Sequence, residues 1–131
     1  MIKRTFPQSR LRRTRTKGYL RDLIAENHIS TNDLIQPIFI ADQSEAKVEI
    51  PSMPGIFRHS LESLYAETEE LIKKGIKSVA IFPAIDSSKK DQKGSHAFDD
   101  KNIVCMALRG LAEKFPEVIK IADVALDPFT D

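Results

Sequence analysis

The sequence predicts an α/β fold in which a basic N-terminal arm precedes three β/α units with parallel strands. Short apolar runs rich in isoleucine and valine occur near residues 34–40, near 77–82 and within 119–131, and helical patterns separate them. None of these runs shows sustained polar alternation, which is typical of strands covered on both faces. The order strand, helix, strand, helix, strand favours parallel pairing through right-handed crossovers.

The composition indicates one soluble domain that can bury a core: 131 residues, 41% hydrophobic and 30% charged. No apolar run approaches the roughly 18 residues that cross a bilayer, and no apolar segment follows the N-terminal basic residues as in a secretory signal. The single cysteine, Cys105, excludes an internal disulfide. We therefore expect a cytoplasmic protein without membrane contact. His28, His59 and His96 lack metal-ligand spacing and are expected to be surface or capping residues.

Residues 1–17 are predicted to form an extended basic arm, and residues 18–131 the domain itself. Residues 1–21 contain eight basic side chains and no acidic one, so the rest of the chain must carry −7 to leave the net charge of +1. Three interpretations fit such an arm: a solvated tail, an arm that packs on the acidic body of a partner subunit, or an arm that binds nucleic acid. Nucleic-acid binding usually brings interleaved aromatic residues, and only Phe6 and Tyr19 are available here.

The first half of the domain is predicted from local patterns. The segment "KGYLRDLIAENH" has apolar residues at helical spacing, which predicts a short amphipathic helix over about 19–27. The strand at 34–40 contains Pro37, which lacks a ladder donor, so we expect a bulge or an unpaired side there. Residues 41–59 are rich in proline and glycine and predict a turn-rich crossing with room for one short strand.

The second half has clearer signals. A helix over 60–75 is expected to be capped by Ser60 and stopped by Gly75. The strand at 77–82 ends at Pro83, and a polar loop, "DSSKKDQKGSHAFDD", follows at 86–100. A loop of that length often has a function. A second amphipathic helix is expected from near Asp100 to Phe115, before the last strand.

Asp123 and Asp127 are the candidate catalytic residues, because they follow the third strand at the end where α/β folds bind ligands. If the strand continues through them, Asp123, Ala125 and Asp127 share one face. The alternative is that Asp127–Pro128 is a turn signal and Asp123 an ordinary loop acid. Both interpretations stay open at this point.

Three parallel strands would leave two apolar edges unpaired, which favours aggregation. A closed eight-stranded β/α barrel takes about 200 residues or more. We therefore expect these 131 residues to be the first portion of a larger fold.

An ordered series of motifs resembles the N-terminal part of the porphobilinogen synthase (5-aminolevulinate dehydratase) family. The matching pieces are "RLRRTR", "DLIQPIFI", "IPSMPGIFR", "GIKSVAIFPAI", "KGSHAF" and "FPEVIKIADVALDPFTD". The resemblance implies a TIM (β/α)₈ barrel, of which this chain has the first three units, and an arm that wraps a neighbouring subunit in octamers. It also implies the condensation of two 5-aminolevulinate molecules to porphobilinogen with loss of two waters, in haem and tetrapyrrole biosynthesis.

The implied mechanism uses lysines as Schiff-base nucleophiles, which must be held neutral. Lys77 and Lys120 lie at the amino-terminal ends of their strands, and Lys89, Lys90 and Lys93 lie in a polar loop that would not lower their pKa values. In the family the reactive lysines come from later strands. We therefore expect this chain alone to be inactive. The alternative is a non-catalytic assembly partner that joins full-length subunits through its arm.

The resemblance also implies which metal ion to expect. Zinc-dependent members have cysteines at the positions that match Ala125 and Asp127, whereas alanine cannot bind and a carboxylate favours harder ions. The resemblance thus implies Mg²⁺, with K⁺ as a further candidate, and no active-site zinc. Asp127 is the candidate metal ligand. Asp123 matches an active-site aspartate that orients substrate groups and water.

Overall fold

The computed structural model describes residues 5–7, 9–10 and 12–131, and within them the chain adopts a mixed α/β fold. The helices are α1 (Gly18–Leu23), α2 (Leu61–Lys73) and α3 (Ile103–Lys114). The strands are β1 (Gln36–Ala41), β2 (Lys47–Glu49), β3 (Phe57–His59), β4 (Ser78–Ala84) and β5 (Ile119–Ala122). They form a five-stranded sheet in the order β2–β3–β1–β4–β5.

Strands β1, β4 and β5 form the parallel part of the sheet, as the sequence predicts. β1 and β4 are paired from Gln36 opposite Val79 to Ala41 opposite Ala84. β5 pairs with the other side of β4, with Ser78 opposite Ile119. Because α2 and α3 supply the crossovers, the three strands point the same way and end at a common edge.

The crossing segment at 41–59 contributes two strands, not one, and this corrects the prediction. β3 is parallel to β1, and β2 is antiparallel to β3. A turn between them is closed by the amide of Gly55, which donates to Glu49 Oε1 at 2.8 Å. Gly55 has a φ of +79°, which suits glycine. The pair covers one edge of β1 that the sequence pattern left open.

Pro37 lies where the sheet can tolerate it. The β1–β3 ladder contains only Phe39 and Ile40, so Pro37 faces no strand on that side. The expectation that one side of the strand stays unpaired at this proline is confirmed.

The core lies on one face of the sheet, beneath α2 and α3. Its buried apolar side chains come from the central positions of β1 and β4 and from the inner sides of α2 and α3: Ile38, Ile40, Val79, Ile81, Leu64, Leu71, Ala107 and Leu111. The opposite face is also apolar but open. The rings of Phe39 and Phe82 lie 5.9 Å apart there, and Ile119 and Ile121 are 61% and 39% exposed.

The two long helices begin where the sequence signals place them. The Ser60 hydroxyl accepts a hydrogen bond from the Ser63 amide, and Gly75 follows α2 with a φ of +86°. α3 begins at Ile103 with Asn102 as its N-cap, slightly later than predicted. α1 is shorter than the predicted 19–27 and has no buried residue. A helix without packing partners has little to stabilise it.

Part of the predicted arm, residues 1–4, 8 and 11, lies outside the described residues. Residues 12–17 are exposed and include a 3₁₀ turn at Arg13–Arg15. The Arg10 guanidinium lies 5.5 Å from the ring centre of Phe6. Over the described ranges, no helix has the length and apolar character needed to cross a membrane.

His59 is buried, and its assignment to the surface is wrong. Its side chain is 7% exposed at the end of β3, with Nδ1 2.9 Å from Ser63 Oγ. The pairing of β3 with β1, which the sequence pattern does not reveal, brings it inside. Burial lowers the pKa of His59, the charge of Glu67 partly opposes this, and Lys47 lowers the pKa further.

We predict that the free energy of unfolding decreases as the pH falls from about 7 to about 5, partly because of His59. The folded-state pKa lies below the ordinary value of 6.5, so the unfolded chain binds this proton first as the pH falls. Each unit of pKa difference corresponds to about 1.4 kcal/mol. Urea unfolding of His59→Gln across this range should show a weaker pH dependence. His28→Gln, at an exposed site, is the control, and an equal slope in both variants would contradict the assignment.

Candidate active site

The common edge at which β1, β4 and β5 end is the candidate site. Asp42 follows β1, Asp86 and Lys89 follow β4, and Asp123 and Asp127 follow β5. In α/β proteins this carboxyl-terminal edge is where ligands bind, since polar loops converge there above a rigid sheet.

β5 ends at Ala122, so the strand does not continue through the two candidate aspartates. Asp123 lies in irregular backbone, and Asp127 begins a 3₁₀ turn with Pro128 in its second position. The expectation that Asp123, Ala125 and Asp127 share a strand face is therefore wrong. The turn interpretation of Asp127–Pro128 describes the backbone correctly. Both carboxylates are nevertheless exposed and follow β5 at the candidate edge.

Residues 123–131, which we call the rim segment, are held to the domain by Phe129. This ring is 5% exposed and lies edge-on to His96, with the ring centres 6.0 Å apart. The carbonyl of Phe129 accepts a hydrogen bond from the Asp91 amide at 3.3 Å. The rim segment therefore packs against the loop that follows β4.

That loop, residues 86–98, is called the exit loop. The Asp86 carboxylate accepts from the Ser88 hydroxyl at 2.6 Å and the Ser88 amide at 2.9 Å. Asp91 Oδ1 accepts from the amides of Lys93 at 2.8 Å and Ser95 at 3.0 Å. These hydrogen bonds lower the pKa values of both carboxyl groups. The Asp-x-Ser and Asp-x-Lys spacings are the sequence signal for such turns.

An ion pair joins the exit loop to the end of β1. Lys89 Nζ lies 2.6 Å from Asp42 Oδ2, and both side chains are partly exposed. The hydrogen bond and charge of Asp42 raise the pKa of Lys89. A Schiff-base lysine needs a lowered pKa, so this contact does not favour Lys89 as a nucleophile. Lys120 Nζ donates to the Phe115 carbonyl at 3.1 Å, near the opposite edge of the sheet.

Metal ligands do not assemble within the described residues. No group of three or more histidine, cysteine, aspartate or glutamate side chains there could hold an ion. The ion pairs found there involve neither Asp123 nor Asp127. Cys105 lies within α3 with a free thiol. The side chains described in this chain therefore do not form a metal site by themselves.

The parallel strands, their crossover helices and the acids at the carboxyl-terminal edge define an α/β scaffold of the kind that carries enzyme sites at its strand ends. Comparison with known proteins goes beyond this general class and identifies a family. The family model described as delta-aminolevulinic acid dehydratase matches residues 8–131, and the chain belongs to this family. The resemblance carried by the sequence motifs is thereby confirmed.

Individual proteins of this family are similar to the chain over most of its length. The delta-aminolevulinic acid dehydratase of Chlamydia pneumoniae is 44% identical over 121 residues, which cover 92% of this chain and 36% of the relative. The Bradyrhizobium diazoefficiens protein of the same name is 41% identical over 92% of this chain and 34% of its own length. A Toxoplasma gondii delta-aminolevulinic acid dehydratase, solved in complex with the reaction product porphobilinogen, superposes with a TM-score of 0.86. It is 39% identical, and the match covers 95% of this chain and 35% of that one. The chain thus spans about a third of the length of these relatives.

Asn102 connects the exit loop to α3, and we predict that it orders both. It is 3% exposed, its Oδ1 accepts from the Cys105 amide at 2.9 Å, and its Nδ2 donates to the Ala97 carbonyl at 3.1 Å. Asn102→Ala should lower the free energy of unfolding by about 1–2 kcal/mol, because the cap and a buried partner are lost. Amide hydrogen exchange at residues 95–98 should also become faster.

Asn102→Ser separates the two roles, because a hydroxyl can still cap α3 but does not replace the donor to Ala97. It should retain most of the stability while exchange at 95–98 still rises. Unchanged exchange in the alanine variant would contradict the assignment.

Proposed function

We propose that these residues form the N-terminal portion of a porphobilinogen synthase, which condenses two 5-aminolevulinate molecules to porphobilinogen with loss of two waters. The match of residues 8–131 to the family model, through the candidate edge, is the observation that carries the proposal. The solved relative in complex with porphobilinogen supports the same substrate class. The product would enter haem and tetrapyrrole biosynthesis.

We further propose that the sheet is the first part of a TIM (β/α)₈ barrel, with β1, β4 and β5 as successive barrel strands. Two observations support this. β5 is an edge strand with β4 as its partner, so it is free to pair further. The sheet face that carries Phe39, Phe82 and Ile121 is apolar and open, as an inner barrel face would be before closure.

In the proposed reaction Asp123 orients substrate groups and ordered water, and Asp127 stands at the rim of the same edge. Their exposure at the strand ends supports this role, because substrate must reach them. The nucleophilic lysines are assigned to residues outside this chain. Asp42 raises the pKa of Lys89, which does not suit a neutral amine, and Lys120 donates to the Phe115 carbonyl near the opposite edge, away from the site.

For the metal, we propose Mg²⁺, with K⁺ as a further candidate, and no active-site zinc. Asp127 offers hard carboxylate oxygens, whereas Ala125 offers no donor. Because the described residues do not gather a ligand set, the remaining ligands would lie outside this chain.

The proposed enzyme is a cytoplasmic homo-oligomer, an octamer by family resemblance, joined through the basic arm rather than bound to nucleic acid. Residues 12–17 are exposed, and the eight basic charges of residues 1–21 complement an acidic body in a second copy. The free thiol of Cys105 agrees with a reducing compartment.

We predict that the purified 131-residue chain makes no porphobilinogen from 5-aminolevulinate, because its lysines do not meet the nucleophile's requirements. Product formation is measured against a buffer blank, with the full-length Chlamydia pneumoniae relative as the positive control. The full-length protein that carries this segment should form the product. Turnover by the short chain, abolished when borohydride traps a Schiff base, would refute the prediction; an inactive full-length protein would refute the proposed function.

We also predict that the full-length protein keeps its activity when zinc is chelated with o-phenanthroline, since Ala125 and Asp127 replace the thiolates of a zinc site. Added Mg²⁺ should stimulate it, and Asp127→Ala should weaken that stimulation. Loss of activity on chelation that only zinc restores would contradict the assignment.

A further inference from the structure

The rim segment needs an external support, because the sheet stops holding the chain at Ala122. Its own hydrogen bonds are local: the Phe129 amide donates to the Leu126 carbonyl at 2.9 Å, and the Thr130 hydroxyl donates to the Asp127 carbonyl at 3.3 Å. Such bonds shape a turn but do not determine where the turn lies relative to the sheet. Val124, near the start of the segment, is fully exposed and contributes no packing.

The exit loop supplies this support at and near Gly94. A Cβ placed on Gly94 would lie 3.4 Å from Thr130 Cγ2, 3.6 Å from Leu126 Cδ2 and 3.7 Å from Phe129 Cβ. The loop backbone at Gly94 therefore lies close to three residues of the rim segment, and a side chain at this position would contact them. The hydrogen bond from the Asp91 amide to the Phe129 carbonyl adds a directional contact.

The exit loop is itself anchored on both sides. Upstream, the Lys89–Asp42 ion pair joins it to the end of β1. Downstream, Asn102 joins it to the start of α3. Between these anchors, Asp91 Oδ1 accepts two backbone amides, and Gly94 adopts a φ of +62°. The loop is thus restrained at both ends and in its middle.

We propose that the exit loop is the positioning element for Asp127. Through the Asp91–Phe129 hydrogen bond and the contact of His96 with Phe129 it holds the turn that Asp127 begins, and so sets where this carboxylate lies at the candidate edge. The inference rests on the proposed function, because the position of Asp127 affects turnover only if the site performs that reaction. A displacement of about 1 Å at a reacting site can cost about 10²-fold in rate.

Gly94→Val in the full-length protein is the direct test, and Gly55→Val is its matched control. Both glycines have positive φ, +62° and +79°, so a β-branched residue strains the backbone at either site. Only at Gly94 do added methyl groups press on the rim segment, since nothing lies within 4 Å of a Cβ at Gly55. We expect comparable falls in melting temperature. We expect kcat to fall about 10- to 100-fold for Gly94→Val, with a smaller change in KM, and less than about 3-fold for Gly55→Val.

A double-mutant cycle separates positioning from general damage. In an Asp127→Asn background, Gly94→Val should lower kcat by less than about 3-fold further, because the group it displaces has already been disabled. Multiplicative effects of the two substitutions would overturn the inference. So would an Asp127→Asn enzyme with undiminished kcat.

Two further variants cover the case in which Gly94→Val does not fold. Gly94→Ala, whose Cβ meets ordinary contact distances, should retain more activity than the valine variant. Phe129→Leu keeps an apolar side chain but loses the ring contact with His96, and its loss of kcat should also shrink in the Asp127→Asn background. A wild-type protein that forms no porphobilinogen would refute the proposed function, whereas an active wild type with unaffected Phe129→Leu and Gly94 variants would overturn this inference alone.

Discussion

The parallel pairing of β1 with β4, from Gln36 opposite Val79 to Ala41 opposite Ala84, is the interaction on which the rest of the structure depends. Parallel neighbours cannot be joined by a tight turn, so the chain must cross over through α2, and the same geometry then repeats through α3 to β5. With both helices on one face, the isoleucines and valines of that face become the core. The same pairing makes all three strands end together, and it thereby brings Asp42, the exit loop and the rim segment to one edge.

Beyond that edge, contacts between loops rather than strand pairing determine where the chain lies. Lys89 pairs with Asp42, Asn102 ties the exit loop to α3, and Phe129 fastens the rim segment to the loop. The ion pair and the Phe129 contact link elements distant in sequence, and together with the Asn102 hydrogen bond they take over where the strand ladder ends at Ala122. The ion pair is partly exposed and contributes little stability alone. The ion pair instead restrains the position of the exit loop relative to the end of β1.

Predictions from local signals were accurate where the signal itself is local. Ser60 caps α2, Gly75 ends it, and the proline in β1 lies beside an unpaired side, because caps and missing donors act within a few residues. The second strand within 41–59 and the burial of His59 were missed, because both arise from the pairing of β3 with β1. Of the two interpretations of the rim, the longer strand is wrong and the turn is right, because β5 ends at Ala122 and Asp127–Phe129 form a 3₁₀ turn.

The sequence by itself determined the alternation of strands and helices, the apolar face of each helix, the family, and the identity of the acids that follow the last strand. These follow from residue periodicity, from turn and cap chemistry and from the motif order, all of which are local in the chain. Only the tertiary structure decided where β5 stops, which edge of β1 is covered, and how Asp127 is placed relative to the sheet. Those outcomes depend on contacts between residues distant in the chain, such as the Asp91 amide with the Phe129 carbonyl, and no single stretch of sequence determines the free energy of such contacts.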